Sequence, residues 1–335
     1  MPEVSVIMGV CNAGPFFAAT VASVRAQTFT DWELVVVING ATDNSAEAVL
    51  AAQPDPRIRF FRHAAPLGPS GALNAAAAEA RGRYLAVLDY DDLAAPRRLE
   101  IQLAYFALRP DLLMLGARSE LIDEAGQSLG YEPFIGAHED IRALTLYVHV
   151  LRHSTVMFRR ELLARFPYRD ALGVSSDRDL FARVAEAGPV EALPVSLCQY
   201  RLHPKNLSRQ SVRTALNRGL TSMLAVRRRR GLPEDLDAWA RKFSEGLVTE
   251  SDTGRAYVHC ARLFAAEGMD DMAAFHAWLA LREGARWSGA WRYAWATLRG
   301  LGRSRPVAKA TLRAWFKEPA HQLLVAGGVP DRPQF

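Results

Sequence analysis

The sequence predicts an α/β fold, an open and mostly parallel sheet followed by a mainly helical C-terminal region, and three observations carry that expectation. Val4 to Met8, Leu34 to Ile38 and Tyr84 to Leu88 are short apolar runs without polar alternation, which suit strands buried on both faces of a parallel sheet. Stretches with helical apolar spacing alternate with these runs, as in an open α/β sheet. Composition then changes beyond Val212. The first 212 residues hold 21 Lys and Arg against 24 Asp and Glu, and the rest hold 20 against 12. Six of the seven tryptophans (Trp239, Trp278, Trp287, Trp291, Trp295 and Trp315) also fall in that second part. The expected division is residues 1–212 as one α/β domain and 213–335 as a helical, basic, Trp-rich region.

Each element follows from local pattern. Phe17, Val21 and Val24 recur at i, i+4 and i+7 after Pro15, so a helix joins the first two strands in a βαβ unit. Asn44 with Glu47 reads as a capping box opening a helix from Ser45 to Leu50, and a strand follows over Ile58 to Phe61. An alanine-rich helix spans about Ser70 to Ala80, with Gly82 placed as its C-terminal cap. The strand Tyr84 to Leu88 runs directly into Asp89-Tyr90-Asp91-Asp92. Pro96 then opens a helix with Leu99, Leu103 and Phe106 on one face. Ligands of open α/β sheets bind outside the carboxyl ends of the strands. Gly9 to Gly14, Asn39 to Asp43 and Asp89 to Asp92 each stand at such an end, so three polar loops should meet on one rim.

Composition excludes several classes. With 335 residues, 50% of them apolar and 23% charged, the chain is no disordered segment. Cys11, Cys198 and Cys260 are too few and too scattered for a disulfide framework or a zinc cluster. The first residues lack a basic stretch, an apolar core and a small-residue cleavage site, and no apolar run approaches the roughly 18–20 residues that span a bilayer. The chain therefore reads as cytoplasmic. Its net charge of +5 could suit nucleic acid, but no basic stripe interleaved with aromatics supports that partner.

Three carboxylates in four positions after a buried strand repel one another by several kcal/mol at about 4 Å and an effective dielectric near 20. A hard divalent cation, Mn²⁺ or Mg²⁺, held by one or two of them together with substrate phosphate oxygens would relieve that cost. The plainer alternative is a solvated turn in which Asp91 or Asp92 caps the next helix.

At this point the sequence resembles the family-2 glycosyltransferases, nucleotide-sugar enzymes of the GT-A fold. The matching pieces are Val4-Ser5-Val6-Ile7-Met8 with Asn12, Ser23-Val24 through Gln27-Thr28-Phe29 to Glu33-Leu34-Val35-Val36-Val37, and Gly40-Ala41-Thr42-Asp43-Asn44-Ser45. Leu67-Gly68 with Asn74, Gly82-Arg83-Tyr84 leading to Asp89-Tyr90-Asp91-Asp92, Pro96-Arg97-Arg98-Leu99, Ser176-Asp177-Arg178-Asp179-Leu180 and Tyr200-Arg201-Leu202-His203-Pro204 complete the set in order, over about residues 3 to 210. The resemblance implies inverting transfer from a nucleoside diphosphate sugar, UDP-linked as the first choice, to a hydroxyl of a saccharide or lipid-linked saccharide. It implies a nucleotide over Gly9, Val10, Asn12, Asn39, Asp43, Asn74 and Asp89, and a metal at Asp91 and Asp92 with His203. It also implies Asp177 as the general base, with Asp179, Arg201 and His153 on the acceptor or supporting side and Lys205 as a further helper. The sequence departs from the family at Ile38-Asn39, where two aspartates are usual. It departs again at Cys11 (a common tyrosine), Gly9 (a common small polar residue or proline) and Ser176 (often glutamate).

Taken without the resemblance, Asp177 and Asp179 read as helix N-terminal carboxylates before Leu180 to Ala187. His203 reads as a structural histidine near a strand end, and Cys198 and Cys260 as buried small hydrophobes. His153 stands before an apolar strand, Ser154 to Arg160. Arg227 to Arg230 is read as a solvated face, with a phosphate-rich partner as the sharper alternative. Trp287, Trp291, Trp295 and Leu298 fall on one helical stripe, which is either a core face or a helix lying on an anionic membrane. A sugar nucleotidyltransferase would need a basic, glycine-rich phosphate loop after the first strand, and a nicotinamide dehydrogenase would need G-x-G-x-x-G. Met8-Gly9-Val10-Cys11-Asn12-Ala13-Gly14 offers neither. The remaining alternative is a nucleotide-sugar or membrane-surface binding module without turnover.

Overall fold

The computed structural model describes residues 1–206, 211–249 and 253–283. The tryptophan stripe of Trp287, Trp291, Trp295 and Leu298 lies outside the described residues. The chain divides into two compact units. The first comprises Met1–Arg142, Val150–Asp170 and Arg183–His203, and the second Ala143–His149, Ala171–Ala182 and the described residues from Pro204 on.

The first unit begins as the apolar runs require. Strand β1 (Val4–Val10), helix α1 (Phe17–Arg25), β2 (Trp32–Asn39), α2 (Ser45–Ala52), β3 (Ile58–His63), α3 (Gly68–Glu79) and β4 (Tyr84–Val87) alternate. The strands pair in parallel in the order β3-β2-β1-β4. After β3 the chain thus crosses back to the far side of β1. The strand order reverses there, the place where open α/β sheets bind ligands at the carboxyl ends of their strands. The short β5 (Leu93–Ala94), α4 (Arg98–Leu108), β6 (Met114–Ile122), β7 (Ser128–Tyr131), α5 (His138–Leu144), β8 (Met157–Arg159), α6 (Glu161–Arg165), α7 (Ser176–Ala187) and β9 (Val190–Arg201) follow. The sheet continues through β8, β6, β9 and β5, with β7 on β6. The β8, β7 and β5 pairings are antiparallel, so the sheet is mixed but parallel over most of its paired length.

The second unit is helical. Helices α8 (Val212–Arg229), α9 (Leu236–Thr249), α10 (Thr253–Ala266) and α11 (Asp270–Arg282) share a core that includes Leu220, Met223, Trp239, Phe243, Tyr257 and Phe264. His276 is buried there with its ring stacked on Phe264 at 4.7 Å, and burial drives its pKa down to about 3, so it stays neutral. Of the four consecutive arginines, Arg227 pairs with Glu267 at 2.6 Å and Arg228 with Glu234 at 3.1 Å. No helix among the described residues is long and apolar enough to cross a membrane.

Several local expectations are corrected. Asn44 makes no side-chain cap on α2. Its carboxamide oxygen instead accepts from Arg62 at 3.1 Å, Glu47 pairs with the same guanidinium, and Asp43 receives the Ser45 N–H at 3.0 Å. Gly82 is not a left-handed helix cap, since α3 ends in an extended residue, Ala80. It is required by close approach: a Cβ there would lie 2.4 Å from the Ser5 nitrogen. Gly82→Ala is expected to cost about 1–3 kcal/mol through forced backbone shift, read as a lowered thermal midpoint. The expected strand over Ser154 to Arg160 is shorter: His153–Thr155 form a 3₁₀ turn and only Met157–Arg159 are strand. Asp177 and Asp179 are helix N-terminal carboxylates as expected, but α7 starts earlier, at Ser176, so both lie inside its first turn.

Candidate active site

Three loops end the parallel strands of the first unit, and side-chain amides and hydroxyls tie the first two together. Asn12 Nδ2 donates to Thr42 Oγ1 at 2.9 Å while Thr42 N–H donates to Asn12 Oδ1 at 3.0 Å, and Ala13 N–H reaches Ser45 Oγ at 2.9 Å. Asp43 accepts from both the hydroxyl and the N–H of Ser45, and these bonds hold its carboxyl below the usual range. Asp43 is thus an anionic, exposed group at the mouth of the β2 loop. Gly9 and Val10 close β1, and a Cβ at Gly9 would crowd the Ala72 Cβ at 3.0 Å.

Two residues expected at a nucleotide also fasten neighbouring backbone. Asn39 accepts from Leu67 N–H at 2.6 Å and donates to Gly68 O at 3.1 Å, fastening the start of α3 to the end of β2. An aspartate cannot donate to Gly68 O, so the amide at this position has a structural reason. Asn74 spends its amide in the same way on the backbone of Tyr168, donating at 2.9 Å and accepting at 3.0 Å.

The acidic loop after β4 is held from below and from one side. Thr20 Oγ1 donates to Tyr90 O at 2.8 Å. Arg98, fully buried on α4, donates to Val87 O at 2.9 Å and Val156 O at 3.2 Å, so one guanidinium spans the end of β4 and the turn before β8. Burial lowers its pKa to about 10, which leaves it charged at neutral pH. Ser154 accepts the Asp89 N–H at 3.2 Å and donates to Asp92 Oδ2 at 2.5 Å.

The carboxylates of this loop stand in different surroundings. Asp92, expected as a metal ligand, is 0% exposed and turned inward, with Ser154 on one oxygen and the Arg201 N–H on the other at 2.9 Å. Burial, then the charges of Asp91 and Asp89, push its carboxyl well above the ordinary range. Asp91 is the one that meets His203, with Oδ2 2.8 Å from Nε2. His203 packs on Phe16 at 5.1 Å, and the Arg201 guanidinium lies over the same ring at 4.6 Å. Arg201 is a strut, donating to the carbonyls of Asp91, Asp123 and Glu124 at 3.0–3.2 Å. Asp89 Oδ1 lies 3.4 Å from His153 Nδ1, whose other nitrogen meets the Tyr168 hydroxyl at 2.8 Å. His153 therefore stands beside the acidic loop.

Among the described residues no group of three or more His, Cys, Asp or Glu side chains is set to hold a metal. The Asp91–His203 pair offers one carboxylate and one imidazole, a donor set that suits a divalent cation whose remaining ligands are phosphate oxygens and water, the habit of Mg²⁺ and its like.

Asp177 and Asp179 belong to the second unit's part of α7. Asp179 is fully buried. Asp177 is partly exposed, and its Oδ2 lies 2.7 Å from His149 Nε2. Sequence reasoning missed His149, and also Ser154, Phe16 and the anchoring role of Arg98. His149 sits in Tyr147-Val148-His149-Val150, which carries no motif, and only the tertiary fold brings it to Asp177. Lys205 lies exposed past the end of β9.

The model of the family described as glycosyl transferase family 2 matches residues 5–166. An uncharacterised glycosyltransferase of Methanocaldococcus jannaschii is 30% identical over 206 residues, covering 60% of this chain and 71% of that protein. The O-antigen biosynthesis glycosyltransferase WbnJ of Escherichia coli is 28% identical over 217 residues, covering 62% and 83%. Two solved structures share the fold. S. aureus TarS residues 1–349 in complex with UDP-GlcNAc has a TM-score of 0.59 at 14% identity, covering 84% of this chain and 88% of that one. The mannosyltransferase PcManGT of Pyrobaculum calidifontis in complex with GDP-Man and Mn²⁺ has a TM-score of 0.53 at 17% identity, covering 97% and 85%.

Proposed function

The chain belongs to glycosyl transferase family 2, and from that premise we propose that it is an inverting, metal-dependent glycosyltransferase. It would move a hexose-type sugar from a nucleoside diphosphate donor, UDP-linked as first choice, to a hydroxyl of a saccharide or lipid-linked saccharide. The observation that carries this reading is the meeting of the β1, β2 and β4 loops where the strand order reverses, with Asp91 held against His203 at 2.8 Å. Similar proteins support the donor class: TarS with UDP-GlcNAc and PcManGT with GDP-Man and Mn²⁺. WbnJ, named for O-antigen biosynthesis, supports a role in cell-surface polysaccharide or glycolipid synthesis, and we propose that the chain works from the cytosolic side.

In this reading the Asn12–Thr42 clamp and anionic Asp43 shape the nucleotide's seat beside Gly9 and Val10, and Asp89 lies nearest the ribose or sugar. Asp91 and His203 would hold Mn²⁺ or Mg²⁺, while buried Asp92 and Arg201 would keep that loop rigid instead of ligating. A divalent cation there supplies Lewis-acid stabilisation of charge on the departing diphosphate. Asp177 accepts the proton of the acceptor hydroxyl as it attacks, a task worth typically 10²–10⁴-fold. One carboxylate on the face opposite the leaving group gives inversion. The division near residue 212, with the basic C-terminal region serving acceptor, membrane-surface or subunit contacts, belongs to the same proposal.

A thermal-shift screen of nucleoside diphosphates and their sugars with Mn²⁺ tests it. One nucleotide class should raise the melting midpoint in a Mn²⁺-dependent way and release nucleoside diphosphate on incubation. Binding without any release, with saccharide acceptors and with water alike, would reduce the protein to a binding module.

A further inference from the structure

Asp177 does not stand alone at the start of α7. Its Oδ2 is 2.7 Å from His149 Nε2, and its Oδ1 accepts the Arg178 N–H at 2.6 Å, so each carboxylate oxygen has a donor-bearing neighbour. The imidazole is itself fixed. It meets the Phe181 ring edge-on at 5.9 Å, and Phe181 lies one helical turn after Asp177 on the same helix. The backbone carrying His149 is tied to α7 by the next side chain of the motif. Arg178, 3% exposed, donates from Nε to Thr145 O at 2.9 Å and from Nη2 to Leu146 O at 2.5 Å, and also to Ser222 Oγ on α8 at 2.6 Å. Burial, then the charge of Arg218, lowers the pKa of this guanidinium to about 9, so it remains a charged donor at neutral pH.

The arrangement has one order of support: Arg178 holds residues 145–146, that segment ends at His149, and His149 holds Asp177. The His149 and Asp177 side chains are 33% and 16% exposed. Both side chains are thus partly open to solvent, while the buried Arg178 fixes the backbone segment that ends at His149. An imidazole N–H fixes both the rotamer and the ionised state of a carboxylate, which is what a proton acceptor needs before its substrate arrives.

We propose that His149 is a positioning residue for the transfer reaction, donating from Nε2 to Asp177 so that the carboxylate stands deprotonated in one orientation towards the acceptor hydroxyl. This rests on the reading of Asp177 as the general base. His149 touches neither donor nor acceptor in this scheme and acts only through Asp177.

The test compares His149→Leu, His149→Gln and Asp177→Asn in the full chain, with nucleoside diphosphate release from the donor identified by the thermal-shift screen as the assay. His149→Leu should lower kcat by about 10–100-fold, the usual cost of losing an outer partner that orients a reactive ligand, with the donor KM and melting midpoint unchanged. His149→Gln places an amide N–H where Nε2–H was and should recover most of the rate. In ¹⁵N spectra of the histidine rings, the His149 signal should report a protonated Nε2 and move in Asp177→Asn. A His149→Leu enzyme as fast as wild type, beside an inactive Asp177→Asn, overturns the positioning role and leaves the base intact. Equal losses in His149→Leu and His149→Gln with lowered melting midpoints make His149 structural and also overturn it. An active Asp177→Asn removes the base assignment, and the inference with it.

Discussion

Asp177→Asn is expected to lower turnover by about 10²–10⁴-fold, the range a positioned proton acceptor contributes, while nucleotide-sugar affinity stays near wild type. The amide is nearly the same size as the carboxylate, and its oxygen still accepts from His149 Nε2, which lies 2.7 Å from Asp177 Oδ2 in the native chain. Fold and local hydrogen bonding therefore persist, and only the capacity to take a proton is lost. Such a loss falls on kcat because the interaction is made in the transition state alone. Isothermal titration of the donor, set beside nucleoside diphosphate release, measures the two quantities separately. Parallel loss of affinity and turnover would make Asp177 a binding residue and remove the inverting mechanism built on it.

Asp91→Ala should have a comparably large effect on a different quantity. Lewis-acid stabilisation of a departing diphosphate is worth several kcal/mol, which at about 1.4 kcal/mol per decade means a fall of about 10²–10³ in turnover. Since Asp91 and His203 are the donors proposed for the cation, the variant should also lose the Mn²⁺-dependent part of any nucleotide-induced thermal shift. A chelator added to the wild-type protein should reproduce the loss, and excess Mn²⁺ should restore wild type but not Asp91→Ala. Asp92→Ala is distinguishable. Removing a fully buried carboxylate leaves Ser154 and the Arg201 N–H without their acceptor, so that change should lower the melting midpoint in the absence of metal. A metal-independent enzyme, or an Asp91→Ala variant with full Mn²⁺ response, would refute the cation site.

Much of the first unit was legible because its strands are buried on both faces, and such strands must be written as continuous apolar runs. Val4–Val10 and Trp32–Asn39 could be read from composition, and so could the helix that joins them. Boundaries and local reasons were less legible. Gly82 looked like a helix cap because glycine serves both left-handed turns and close backbone approach, and the sequence does not distinguish these. Asn44 and Glu47 have capping-box spacing, yet Arg62 on β3 claims both side chains, a competition between local and tertiary partners.

The division of labour in the site follows the same line. The sequence by itself determined that Asp89, Asp91 and Asp92 end a buried strand beside two other polar loops, because strand order and loop placement follow from alternating α and β pattern. Its likeness to a family singled out Asp177 as the expected base. Only the tertiary structure decided which partners each carboxylate meets. Asp92 turns inward because Ser154 and Arg201, 62 and 109 residues away in sequence, supply its donors, and Asp91 meets His203 from the far end of β9. Asn39 is held to the Leu67–Gly68 backbone, and His149 is brought to Asp177 by Arg178. Hydrogen bonds are directional and short-ranged, so the partner that wins a polar side chain is set by where the folded backbone delivers its donors and acceptors, whereas burial of apolar area needs only the pattern already present along the chain.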